Sequence, residues 1–161
     1  MRAFRGYALG MDDPALDEHK ITSVSQLCDL WKGVYRGKDG VDWSGLLPYY
    51  DEDIFFKDSI QEIRGMADFA AMTERLARRS RDLKYVIHHA TMDGNLVFVE
   101  WEMVISYKKY PTSSVYGMSR ITLREGKIIE QRDYYDLWGD ILDNIPFLRK
   151  GYRRFMKKRF G

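Results

Sequence analysis

Three observations predict an α+β domain with helices segregated to one face of a curved antiparallel sheet. Apolar residues in the first half of the chain recur at helical spacing. From residue 82 onward the period switches to two. Two Gly-containing turns then divide the second half into two hairpins, so the order is helix, helix, short strand, helix, four longer strands. The chain has 161 residues, 45% hydrophobic and 14% aromatic. That is the length of one domain, with enough apolar side chain for a core.

Residues 1–20 mix Gly, Asp and Pro without periodicity and predict an extended arm. A first helix is expected over 22–36, where Val24, Leu27, Cys28, Trp31, Val34 and Tyr35 share a stripe. Ser23 and Gln26 have capping-box spacing, and Gly37 stops the helix. A second, short helix over 42–50 carries Trp43, Leu46 and Leu47. "DIFFKD" reads as a short strand. "SIQEIRG" leads into a third helix over 66–79, with Met66, Phe69, Met72, Leu76 and Ala77 on one stripe. Arg75, Arg78, Arg79 and Arg81 gather near its end, where positive charge suits the helix dipole. "LKYVIHHAT", the turn "MDGN" and "LVFVEWEMVISY" form a hairpin. "KKYPTS" is a loop. "SVYGMSRITLR", "EGK" and "IIEQRDYY" form the second hairpin. The predicted organisation is an arm over 1–20, a domain over 21–142 and a basic amphipathic helix over 143–161.

No run of about 18 apolar residues exists, which excludes a membrane-spanning helix. The first twenty residues lack an apolar signal core, and the one cysteine, Cys28, allows no internal disulfide. Both lead to an expected cytoplasmic location. Cys28 on an apolar helix face reads as a buried inert thiol. No Cys/His spacing suggests a metal site, and no cofactor is called for. The net charge of +2 hides a split. Residues 145–161 hold seven Lys or Arg and no acid, so the remaining chain has 19 basic and 24 acidic residues, a net of −5. Such a split concerns partners, not fold.

Two segments carry a resemblance. "LLPYYDEDIFFKDSIQEIRGMADFAAM" runs from a helix through an acidic turn and a strand to Arg-Gly and another helix. "ITLREGKIIEQRDYYDLW" is a hairpin ending in Arg-Asp-Tyr-Tyr-Asp. Over residues 21–142 the chain resembles the nuclear transport factor 2-like (SnoaL-like) superfamily. The resemblance implies a cone-shaped curved sheet with helices packed on its concave face, a cystatin-like α+β barrel enclosing a pocket. Such folds host ketosteroid isomerases, polyketide cyclases, epoxide hydrolases and binders without chemistry, so fold alone does not give function. The "RDYYD" ending is similar to limonene-epoxide hydrolases. In those enzymes an aspartate at the position of Asp133 activates water, helped by an arginine and a second aspartate on a neighbouring strand. Here Trp101 and Met103 stand at those two places. The tyrosine and asparagine that orient the water correspond to Phe56 and Asp58.

The residues themselves give a parallel case. Alternation puts Ile129, Gln131, Asp133 and Tyr135 on one face of the last strand, and that face is taken as inner because Glu130 and Arg132 pair more naturally outside. An aspartate in an apolar hollow is desolvated, which raises its pKa and makes it usable as a base or acid. The alternative is a carboxylate that holds a strand end by hydrogen bonds. Asp58 is the second candidate, with a turn-forming role before Ser59 as its alternative. Asp136 reads as the cap of a following helix. Trp101 and Met103 share a face with Val97 and Val99. Val115, Gly117, Ser119 and Ile121 face the same way, with Gly117 and Ser119 leaving room for a ligand; plain core packing of these residues is the alternative. Trp31, Phe56 and His89 complete the expected pocket. For His88 and His89, a structural hydrogen bond is the alternative to a pocket role. Glu100 and Glu102 belong to the outer face, where Arg120 could pair with one of them and where a second subunit could sit.

In the tail, apolar pairs alternate every four residues with Arg149/Lys150, Arg153/Arg154 and Lys157/Lys158. This predicts a helix with an apolar stripe opposite a basic face, entered through Pro146. The stripe could close the cone, or it could lie on an anionic membrane at the inner face of the cell. No nucleic-acid motif appears. The expected partners are a hydrophobic small molecule and a second copy of the chain, with peripheral membrane contact through the tail and no nucleic acid. Two roles follow: a binding module without chemistry, or a hydrolase or isomerase with Asp133 as general base.

Overall fold

A computed structural model describes residues 19–34, 41–107, 112–141, 143 and 145–161. The arm up to residue 18, the stop at Gly37 and most of the "KKYPTS" loop lie outside the described residues. The elements are α1 (Val24–Gly33), a 3-10 turn (Leu47–Tyr49), β1 (Tyr50–Lys57), β2 (Glu62–Arg64) and α2 (Met66–Arg79). They continue as β3 (Ser80–Asp93), β4 (Leu96–Tyr107), β5 (Ser113–Arg124), β6 (Lys127–Tyr135), a π-helical turn (Leu137–Ile141) and α3 (Pro146–Phe160). No helix among the described residues is long and apolar enough to cross a membrane.

Six strands form one curved, unclosed sheet in the order β2-β1-β6-β5-β4-β3. The β3–β4, β4–β5 and β5–β6 pairs are antiparallel, as the hairpin pattern predicts. The sheet is nevertheless mixed, because β1 runs parallel to β6, with Phe56 opposite Gln131. The expected helix over 42–50 is replaced by turns and one 3-10 turn, and Tyr50 already belongs to β1. Pro48 lacks an N–H and restricts Leu47 before it, so a regular helix does not propagate through this stretch.

Local chemistry fixes the element ends. Ser23 Oγ accepts from Gln26 N (3.2 Å) at the start of α1, while Gln26 Oε1 accepts from Thr22 N (2.8 Å). Ser80 Oγ donates to the Leu76 carbonyl (2.9 Å), so α2 passes straight into β3. At the β5–β6 hairpin, Glu125 and Gly126 both take positive φ, +52° and +83°. That is the left-handed pair a two-residue hairpin turn requires.

Of the sheet's irregularities, the bulges at Ile129 and His88 bear on which expected side chains face inward. In β6, Leu123 pairs with Ile128 and Thr122 with Glu130, which leaves Ile129 as an extra residue. In β3, Ile87 pairs with Trp101 and His89 with Glu100, which leaves His88 extra. An extra residue reverses the alternation beyond it and bends the strand. Fully buried Ile128 therefore occupies the core in place of the expected Ile129.

The core lies between the concave face and the two helices α1 and α2. Leu27 and Trp31 project from α1, Phe69 from α2, and Val97, Val99 and Trp101 from β4, all nearly or fully buried. Phe69 packs on Tyr50 and Phe56 at ring distances of 4.6 and 5.5 Å. Trp31, Tyr85, Trp101 and Tyr135 form a chain of ring contacts at 5.6, 5.4 and 6.3 Å. Burial of each such ring stabilises by roughly 1.5–3 kcal/mol. On the outer face, Arg120 bonds Glu130, its neighbour across the β5–β6 pair, and not Glu100 or Glu102.

Candidate functional site

A cavity of about 290 Å³ opens between the helices and the concave face of the sheet. Trp31 from α1, Met72 from α2, Phe56 from β1, Trp101 and Met103 from β4 and Val115 from β5 give it apolar walls. Gln131, Asp133 and Tyr135 bring polar atoms from β6, and Asp58 and Gln61 do so from the loop after β1. Arg75 and Arg79, exposed near the end of α2, also line it and have no ion partner among the described residues. The volume is near the lower end of small-molecule sites, roughly 300–1,000 Å³.

Asp133 is the convergence point of a buried network. Its Oδ1 accepts from Ser119 Oγ (2.5 Å) and from Gln131 Nε2 (2.9 Å). Ser119 Oγ in turn accepts from Trp101 Nε1 (2.9 Å), and Gln131 Oε1 accepts from the Tyr50 hydroxyl (2.7 Å). Every donor in both branches points toward the carboxylate. Tyr50, Trp101, Ser119 and Gln131 are all buried. The carboxyl group is thus fixed as an acceptor at Oδ1, and Oδ2 has no partner among the described residues. Burial pushes Asp133 up to about 6. The hydrogen bonds from Ser119 and Gln131 pull against that rise, the negative charge of Asp58 adds to it, and Arg132 subtracts. A carboxylate at about 6 is mostly ionised near neutrality, yet basic enough to accept a proton from a bound molecule or water.

Asp58 closes its own turn. Its Oδ1 accepts from the backbone N–H groups of Ile60 (2.7 Å) and Gln61 (2.8 Å). This is the turn-forming arrangement, although the residue also lines the cavity. Asp136 Oδ1 likewise receives the N–H groups of Trp138 (3.0 Å) and Gly139 (2.9 Å) and caps the π-helical turn.

Trp31, Phe56, Asp58, Trp101, Met103, Val115, Gln131, Asp133 and Tyr135 all line the cavity. Three expected pocket residues do not. His89 lies outside, with its side chain 85% exposed and its Nδ1 2.7 Å from Glu100, because the bulge at His88 reverses the strand's faces. Gly117 leaves no room for a ligand, since the Trp101 ring fills it: a Cβ there would stand 2.5 Å from that ring and 2.7 Å from the Tyr134 carbonyl. Ser119 is fully buried as the link between Trp101 and Asp133.

Tyr50, Arg75, Arg79 and Ile141 line the cavity without having been singled out by the sequence for that role. Tyr50 reaches it only through the parallel pairing of β1 with β6, which no local pattern encodes. Arg75 and Arg79 carried a signal, the cluster of arginines ending α2, which the helix dipole explained equally well. Among the described residues no group of three or more His, Cys, Asp or Glu is placed to hold a metal ion.

The six cations of the predicted basic pairs divide into two sets. Arg153 makes two hydrogen bonds to Asp143 (2.6 and 2.7 Å), and Arg149 approaches the same carboxylate at 3.4 Å. Lys150, Arg154, Lys157 and Lys158 are exposed without ion partners among the described residues.

Comparison with known proteins adds a family to this geometry. No curated protein matches the chain. An LEH-like epoxide hydrolase from M. tuberculosis has a similar fold, with 17% identity, a TM-score of 0.61, and 83% of this chain and 94% of that one covered. A hypothetical protein from Catenulispora acidiphila with a ketosteroid isomerase-like fold, in complex with trimethylamine, has 17% identity, a TM-score of 0.65 and coverage of 76% and 94%. An NTF2-like protein of unknown function from Cytophaga hutchinsonii has 16% identity, a TM-score of 0.57 and coverage of 74% and 95%. These likenesses establish the fold. The family model for the SnoaL-like domain matches residues 31–131, and the chain belongs to that family.

Proposed function

We propose that the cavity binds a small, mainly apolar molecule. The observation that carries this reading is a hollow of about 290 Å³ with walls of Trp31, Trp101 and Met103 and polar atoms confined to a few positions. Arg75 and Arg79 favour a ligand whose polar or anionic end lies toward α2. The test is mass spectrometry of the molecule that copurifies, joined to titration with anilinonaphthalene sulfonate. One probe per chain in the wild type, lost on Met103→Trp, supports the reading. No copurifying molecule and no stoichiometric probe binding by the native protein overturns it.

A second reading is favoured by the Asp133 network. With Oδ1 held by two donors and the carboxyl pushed up to about 6, Asp133 would act as general base through Oδ2. The substrate would be a water, as in hydrolysis, or a carbon acid, as in isomerisation. By the resemblance to limonene-epoxide hydrolases, Trp101 and Met103 correspond to their arginine and second aspartate, so on this reading any chemistry rests on Asp133 without those groups. Turnover of a panel of epoxides and ketosteroids should rise with pH through about 6 and vanish in Asp133→Asn while ligand affinity persists. Absence of any turnover leaves the binding role.

A homodimer through the outer face of the sheet is the proposed assembly, supported by exposed Tyr116, Met118 and Tyr134 on that face. Light scattering of the wild type against Tyr134→Glu tests it. A reducing, cytoplasmic setting fits the single cysteine.

A further inference from the structure

We propose that α3 docks the protein on an anionic lipid bilayer. The helix does not close the cone. Phe147, Phe155 and Phe160 are 80%, 56% and 76% exposed, and Leu148 is exposed beside them. It is held instead by one edge. Tyr152 stacks on Trp138 at 4.9 Å and 17°, and Asp143 takes Arg153 and Arg149. At 3.6 residues per turn, Tyr152, Met156, Arg149 and Arg153 form that tethered arc. Phe147, Leu148, Gly151 and Phe155 form the next arc, which is exposed; the ring beside it, Phe160 at 6.5 Å from Phe155, belongs to α3 itself. Lys150, Arg154, Lys157 and Arg159 flank that arc and Lys158 ends it, one turn beyond Phe155; all five are exposed and without ion partners among the described residues.

The charge pattern selects the occupant. Seven cations and no acid lie in α3, so the complementary surface is anionic. A phosphodiester backbone would engage the cations but would leave Phe147, Leu148 and Phe155 in water. A bilayer with acidic headgroups takes both sets, the rings entering the acyl boundary and the cations staying at headgroup level. The tethers matter because they turn the apolar arc outward before any lipid is met. The π-helical turn that contributes Trp138 to this tether also contributes Ile141 to the cavity wall, so docking occurs beside the pocket.

The experiment is sedimentation of the full chain with phosphatidylserine–phosphatidylcholine vesicles and with phosphatidylcholine alone, at low and high salt. Binding to the acidic vesicles that weakens with salt, with little binding to neutral ones, is expected. Each exposed cation contributes about fivefold, so Lys150→Gln, Lys157→Gln and Lys158→Gln together should weaken partition about a hundredfold. Phe147→Ser with Phe155→Ser should weaken it about tenfold or more. Neither set touches the body of the fold, so melting temperature should not move. The proposal is overturned if acidic vesicles do not bind the wild type, or if both lipid mixtures bind equally. It also fails if the lysine variant binds like the wild type, or if duplex oligonucleotides displace the vesicles. Self-association without lipid that is lost in either α3 variant would overturn it too.

Discussion

Replacing Asp133 by asparagine should stabilise the protein above neutrality, and the size of the effect follows from the site. Burial holds the carboxyl at about 6 in the folded chain, against 3.8 for an ordinary aspartate. The folded state therefore binds this proton more tightly than the unfolded state. Stability is highest with Asp133 protonated, falls as pH rises from about 4 to about 6, and is level above that. Each unit of difference is worth about 1.4 kcal/mol, so ionised Asp133 costs on the order of 3 kcal/mol near neutral pH. That figure is an upper one, because Asp133 keeps some accessible surface on the cavity, where water screens the charge. Asparagine keeps the oxygen that accepts from Ser119 and Gln131 and removes the charge.

The assay is urea denaturation of both proteins across a pH series, reading only the difference between them so that other carboxylates cancel. Asp133→Asn should be more stable by roughly 2–3 kcal/mol at about pH 8, a rise in melting temperature of roughly 5–10 °C. The difference should shrink toward zero near pH 4. A variant less stable than the wild type above pH 6, or a difference that is flat with pH, would refute the reasoning. Either result would make the carboxylate a structural anchor for Ser119 and Gln131. The predicted outcome marks a charge kept against stability, the pattern that functional sites show.

Three further outcomes follow from neighbouring residues. Gly117→Ala should destabilise by about 1–3 kcal/mol, because its Cβ would meet the Trp101 ring and the Tyr134 carbonyl, and the urea midpoint reads this directly. Ser119→Ala should leave the buried Trp101 N–H without a partner, at a cost of about 1–3 kcal/mol. It also removes a hydrogen bond that lowers Asp133, so a carboxyl titration followed by NMR should move to higher pH. Asp143→Ala should release Arg153 and Arg149 and speed hydrogen exchange along α3 while the sheet is unaffected.

Much of this architecture was legible because it is written locally. The α2 limits follow from a stripe of apolar residues between Gly65 and a cluster of arginines, and each hairpin announces its own turn. What local patterns cannot carry is a change of parity inside a strand. Tyr85, Ile87 and His89 alternate without fault in the sequence, and so do Ile129, Gln131 and Asp133. The extra residue His88 sends His89 outside and the extra residue Ile129 exchanges Ile129 for Ile128, yet Asp133 stays against the cavity. Each bulge is defined by the pairing with its partner strand, which the residues of one strand do not display. The same limit applies across strands. Gly117 and Ser119 read as open space when their strand is viewed alone, but Trp101 opposite Gly117 fills that space and bonds Ser119. The small residues therefore serve the ring, and the ring orients the serine that holds the carboxylate. A pocket whose polar centre is set by such contacts between strands can be narrowed to a face from sequence, and its chemistry becomes readable only when the register is known.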